Sequence, residues 1–181
     1  MPDSWYEIVS GRELEQADLL SQCPIPRVTG VQFPIGPSLQ VELSNVDLIV
    51  LTQSCDLVSD KVDEILLATT RTYHEMCATD GVTNQFIRGS KWRSALRKGD
   101  LAPYCLLQFR NTPPASNWSV VNFHHLFSIP KPYLEDVADQ QGDRLRLVAP
   151  YREHVAQAFA RYMMRVGLPT TLSEFEGVTP A

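Results

Sequence analysis

The sequence predicts an α+β domain, mainly β: a small, strongly curved or closed sheet with a helical insertion and one packed C-terminal amphipathic helix. Three observations predict it. Short apolar runs, β-branched or alternating with polar residues, recur along the first two thirds. Thirteen prolines against nine glycines favour short strands and rigid turns over long helices. From Tyr151 onward the apolar residues recur at steps of three and four, which is a helical face.

Glu13 to Leu20 reads as a short strand entering a turn stiffened by Pro24 and Pro26. Pro34, Gly36 and Pro37 mark a loop, and Val41 and Leu43 alternate as in a half-buried strand. Val46 to Thr52 is the strongest apolar run and predicts a strand buried on both faces. Glu64 to Thr70 is a second such run, expected to pair with the first. Between about 75 and 100, Phe86, Trp92 and Leu96 suggest one or two inserted helices, stopped by Lys98-Gly99-Asp100. Tyr104 to Phe109 reads as a strand and Asn111 to Asn117 as a loop. Trp118 to Phe123 and Leu126 to Ile129 read as two strands kinked around His124-His125. The final helix, Tyr151 to Val166, has an apolar face of Val155, Phe159, Tyr162, Met163 and Val166. Pro150 suits its first turn, and Gly167 and Pro169 end it. A single domain over 1–169 with a loosely held tail at 170–181 is expected.

At 181 residues the chain is of one-domain size, since domains most often run to about 100–150 residues. A net charge of −5 argues against broad, non-specific nucleic-acid binding but leaves room for a local basic groove. No apolar run approaches a membrane span, and Met1 to Ser10 lacks the order of a signal peptide, so a cytoplasmic protein with no membrane association is expected. Cys23, Cys55, Cys77 and Cys105 form no CxxC pair and read as reduced thiols. His74 and Cys77 alone do not make a zinc site, so no metal and no cofactor is expected.

Four constellations could carry chemistry. Thr52-Gln53-Ser54-Cys55-Asp56 follows a buried strand directly, where side chains become fixed yet reachable. Cys55 could act there as a nucleophile with a base from His124, His125 or His154. Its plainer reading is a small buried hydrophobe, with Asp56 capping a turn. Arg144, Arg146, Arg152, Arg161 and Arg165 form an arginine set, and His154, Gln157, Arg161 and Arg165 make one helix stripe. This set suits an anion site or an RNA groove, or else a solvated face. Arg88, Lys91, Trp92, Arg93, Arg97, Lys98 and Arg110 interleave basic residues with an aromatic, as on surfaces that stack bases and pair phosphates. The alternative is a solvated insertion with Trp92 in the core. Arg71 to His74 offers hydroxyls and a histidine at a strand end.

The order of elements resembles the MazF/PemK family of bacterial toxin–antitoxin systems. The resemblance is carried by Gln16 to Leu20 with Pro24, by Leu48 to Thr52, by Ile65 to Thr70, and by Val120 to Phe123 and Leu126 to Ile129 before the helix. It implies an SH3-like β-barrel and sets Thr70 at the family's catalytic hydroxyl position. The family's Arg-Pro pair has no counterpart, since Asn45-Val46-Asp47 stands there, and the glycine of its GD pair is Ala17. Thr52 to Leu57 and Pro150 to Pro169 are also similar to segments of uncharacterised bacterial proteins from mobile-element or defence neighbourhoods.

The expected function is therefore a nucleic-acid- or partner-binding protein of a bacterial defence or toxin–antitoxin type system. Its surface would use Gln53, Arg88, Lys91, Trp92, Arg93, His154, Arg161 and Arg165, with RNA, DNA or a protein encoded nearby as partner. One alternative is an enzyme, either a ribonuclease using Thr70 or one dependent on Cys55 and Asp56. The other is a homodimeric module joined through Phe159, Tyr162 and Met163.

Overall fold

A computed structural model of the chain describes residues 5–29, 40–78 and 86–164. Arg165, the helix end at Gly167 and Pro169, the loop prolines 34 and 37, and the expected tail lie outside the described residues. The strands are β1 (Tyr6–Val9), β2 (Leu19–Thr29), β3 (Gln40–Val50), β4 (Glu64–Thr72), β5 (Tyr104–Leu107), β6 (Ser119–Pro130) and β7 (Arg144–Leu147). The helices are α1 (Ser54–Val58), α2 (Tyr73–Ala78), α3 (Ser90–Lys98), α4 (Lys131–Gln141) and α5 (Tyr151–Met163). Strand outweighs helix, as the composition predicts.

The main sheet is antiparallel with the order β2-β3-β4-β6-β5, and β1 and β7 form a separate antiparallel pair. Its end strands, β2 and β5, do not pair with each other, so of the two expected forms, a curved sheet or a closed barrel, the closed one is corrected. Its edges are blunted in other ways. β5 has only four residues. β2 carries Pro24 and Pro26, opposite Asn45 and Leu43 of β3. By sequence these prolines suit a turn. They sit inside a strand because an edge strand has one side whose N–H groups need no partner.

Alternation along the central strands buries both faces. Ile49 and Ala68 face a core with Val121, Phe123, Leu145 and Leu147, capped by Val155 and Ala158 of α5. Leu48, Val50, Ile65 and Leu67 face the opposite core, capped by Leu57 of α1 and by Leu134 and Ala138 of α4. The predicted pairing of the two apolar runs is observed, with Leu48 opposite Thr69 and Val50 opposite Leu67. The predicted kink at His124-His125 is a bulge within the single strand β6: Ala68 faces Leu126 while Thr69 faces Asn122. The alternation at Val41 and Leu43 does not mark burial. β3 pairs with β4 only over Leu48 to Val50, so the outer part of the β2–β3 hairpin projects, and Leu43 is 71% exposed.

A third, smaller cluster holds Trp92 and Leu96 of α3 against Val120 of β6. α3 ends as the sequence predicts. Gly99 takes φ 73°, the left-handed conformation that glycine adopts without strain, and donates its N–H to Leu96 O at 3.1 Å. Among the described residues, no helix is long and apolar enough to cross a membrane.

Candidate functional site

α3 and α5 lean towards each other across β5 and enclose a pocket of about 550 Å³. On α3, Trp92 and Leu96 are one helical turn apart and turn into the core. The neighbouring pair Arg93 and Arg97 then points to the side and lines the pocket. On α5, Val155 anchors the helix to the sheet, and His154, Ala158 and Arg161 line the pocket. Gly99, Leu101, Ala102 and the β5 residues Tyr104 to Leu106 form the floor, with Trp5, Tyr73 and Trp118 around it.

The electrostatics are one-sided. Among the described residues no aspartate or glutamate lines this pocket, although the chain as a whole is acidic. Among the described residues, the side chains of Arg93, Arg97, Arg161 and His154 have no hydrogen-bond or ion-pair partner. By contrast, Arg12, Arg144, Arg146 and Arg152 each meet a carboxylate. Arg161 Nη2 reaches to within 3.7 Å of where a side chain on Gly99 would begin, so the α5 guanidinium crosses to the end of α3. Burial pushes the Cys105 thiol in the floor up to about 12, and the positive charge of Arg161 pulls the other way. Burial also raises the Tyr73 hydroxyl, helped by the neighbouring Cys77 and opposed by Arg93 and Arg88.

The aromatic rings have different duties. Trp5 is stacked on Tyr151, with centroids 4.2 Å apart and planes 12° apart. Tyr73 lies over Trp92 at 6.0 Å. Trp118 is 50% exposed and has no ring partner among the described residues. It is the pocket's open aromatic face.

Of the predicted binding residues, the structure brings Arg93, His154 and Arg161 together, and adds Arg97. Arg88 instead donates from Nη2 and Nε to Cys77 O at 2.7 and 3.2 Å, tying α3's approach to α2. Lys91 is exposed and turned away from the pocket. Trp92 is only 4% exposed and packs in the core, so it cannot stack on a base as the sequence reading proposed. Arg144 and Arg146 are buried against Asp18 and offer no anion site.

The catalytic candidates are scattered. Cys55 lies exposed and Asp56 half-buried on α1, and neither lines the arginine pocket. The oxygens near Cys55 Sγ are Gln53 Oε1 at 3.6 Å and Asp56 Oδ1 at 3.7 Å; no described histidine is among its partners. Thr52 Oγ1 accepts from Leu66 N–H at 2.8 Å and Ser54 Oγ from Gln16 N–H at 3.1 Å, so these hydroxyls fasten the strand exit. Thr70 is buried on β4 and lines a separate pocket of about 210 Å³ with Asp47, Asp143 and Arg144. Phe159 and Tyr162 pack on Phe123 of their own chain at 5.4 and 5.9 Å, while Met163 stays exposed.

Sequence reasoning missed Trp5, Tyr104 and Trp118 as lining residues of the pocket. Only Trp118 carried a local signal, a large aromatic placed directly after a polar, proline-rich loop. No protein-family model matches this chain, and no curated protein matches it.

Proposed function

We propose that the chain is a nucleic-acid-binding protein, of the kind used in bacterial defence or toxin–antitoxin systems, and that it engages a single strand at the pocket between α3 and α5. One observation carries the reading. Two helices from distant parts of the chain aim Arg93, Arg97 and Arg161 at one aromatic-walled hollow, and no carboxylate of the described residues answers them there. Guanidinium forks match phosphate oxygens, and exposed rings stack on bases of any sequence. The SH3-like fold implied by the resemblance belongs to the same proposal, as an open sheet rather than a closed one. Neither Cys55 nor Thr70 lines the pocket, so the reading includes no chemical step.

The test is titration of the chain with short single-stranded RNA and DNA at two salt concentrations. Binding at low salt that weakens steeply with added salt is expected. Arg93→Gln and Arg161→Gln should each weaken it. An absence of binding at low salt would remove the proposal.

A further inference from the structure

The pocket is compact and its lining is mostly apolar, with the charge gathered on three guanidiniums, which does not suit the middle of a strand. Proteins that track single strands spread their cations along a groove, with sites of roughly 4–16 nucleotides for one small barrel domain. Here the cavity holds about 550 Å³, within the range of roughly 300–1,000 Å³ typical of pockets for single small molecules. Arg93 and Arg97 lie one turn apart on one helix, and Arg161, from another, lines the same pocket and approaches Gly99 at that helix's end. Three guanidiniums around one hollow exceed what one internal phosphodiester, with its single charge, requires. A terminal phosphomonoester carries about −1.5 to −2 at neutral pH and three acceptor oxygens. Trp118 supplies an open ring at the pocket, and Leu101 and Leu106 make its floor apolar.

We infer that this pocket selects a terminal phosphomonoester joined to one nucleobase: the phosphorylated end of a strand, or the same group in a free nucleoside monophosphate. The inference rests on the binding reading above and sharpens it from strand to strand end. The arginines hold the phosphate, Trp118 stacks on the base, and the rest of a strand leaves through the open mouth.

The experiment is calorimetric titration of the full chain at low salt. It uses one pentanucleotide in three forms: 5′-phosphorylated, 3′-phosphorylated and hydroxyl-ended. A nucleoside monophosphate and inorganic phosphate complete the set. Binding about tenfold or more tighter for one phosphorylated form than for the hydroxyl-ended one is expected, and the tighter arm identifies the end. Comparable binding of the monophosphate would make the free nucleotide the ligand, with the same site chemistry. In Arg161→Gln, phosphorylated and hydroxyl-ended strands should bind alike. Arg93→Gln, also on an exposed position, is a second variant for the same comparison. Equal binding of all three pentanucleotides would overturn the end preference and leave strand binding standing. Binding of none would overturn both. Inorganic phosphate binding as tightly as the monophosphate would also overturn the inference, because the base would then contribute nothing.

Discussion

Asp18 and Arg144, 126 residues apart in sequence, form a fully buried ion pair in which Arg144 Nε donates to Asp18 Oδ2 at 3.0 Å. The same carboxylate accepts from Arg146 Nε and Nη2, and the remaining Arg144 donors go to the carbonyls of Gly11 and Glu13. This network ties the small β1–β7 pair to the start of β2. Asp18→Ala would leave two buried guanidiniums facing an empty site, and the expected loss is about 3–5 kcal/mol. Glu15 pairs with Arg146 at 2.7 Å from a partly exposed position, and Glu15→Ala should cost at most about 1 kcal/mol. Urea midpoints of the two variants check the contrast. Equal losses would show that the buried carboxylate is not what joins these elements.

The pocket arginines should behave in the opposite way, mattering for ligand and not for folding. Arg93 and Arg161 are exposed and unpaired among the described residues, so Arg93→Gln and Arg161→Gln should change stability by no more than about 0.5 kcal/mol. Each should lower the slope of log affinity against log salt by roughly 0.7 if it meets one phosphate of a single strand. Anisotropy titrations across a salt series measure this. An unchanged slope in both variants would place the phosphates elsewhere.

Trp118 and Trp92 separate ligand contact from core packing. Trp118→Leu should leave the melting temperature near that of the parent chain and weaken strand binding by about 1–3 kcal/mol, the usual worth of one base stacked on a ring. Trp92 fills the cluster with Leu96 and Val120, and Trp92→Ala should cost about 3–5 kcal/mol of stability. Quenching of tryptophan fluorescence on binding should disappear in Trp118→Leu. Its persistence there would assign the contact to Trp5.

The parts of this fold legible in the sequence are those whose burial is complete on a local scale. Leu48 to Val50 and Ile65 to Ala68 are covered on both faces, so they read as continuous apolar runs. α3 and α5 are readable because each sets an apolar stripe against a charged one. β7 was not readable: Arg144 and Arg146 look like surface residues until Asp18 is placed between them. β1, with four residues, depends on β7 for its partner. α4 buries only a narrow stripe, Leu134 and Ala138, too small an apolar face to stand out in the sequence. The candidate site was half legible for the same reason. Both arginine groups stood out, but their convergence depends on where α3 and α5 pack around β5, which no local pattern encodes.

Cys55 tests the enzymatic alternative. Its sulfur has an amide oxygen and a carboxylate oxygen for company, and the nearby Lys61 Nζ stands 4.0 Å from Asp56 Oδ1. Among the described residues, no positive group is paired with the thiol itself. A thiol reagent should modify Cys55 in the native chain no faster than in the urea-unfolded chain. A native rate many times faster would restore Cys55 as a nucleophile candidate.

Cys23 and Cys105 are buried, and burial pushes their thiols from 9.0 up to about 11 and about 12. Below the unfolded value both states keep the protons, and this contribution to stability is fully present. As pH rises past it, the unfolded chain releases protons that the folded chain retains, so unfolding becomes easier. The contribution is lost progressively as pH climbs from 9.0 through the folded values of about 11 and about 12. The urea midpoint of the parent chain should therefore fall across that window. Cys105→Ala removes one of the two groups and should fall less steeply, even though its midpoint at neutral pH differs from the parent's. Parallel slopes in the two proteins would show that the protein interior does not hold the Cys105 proton.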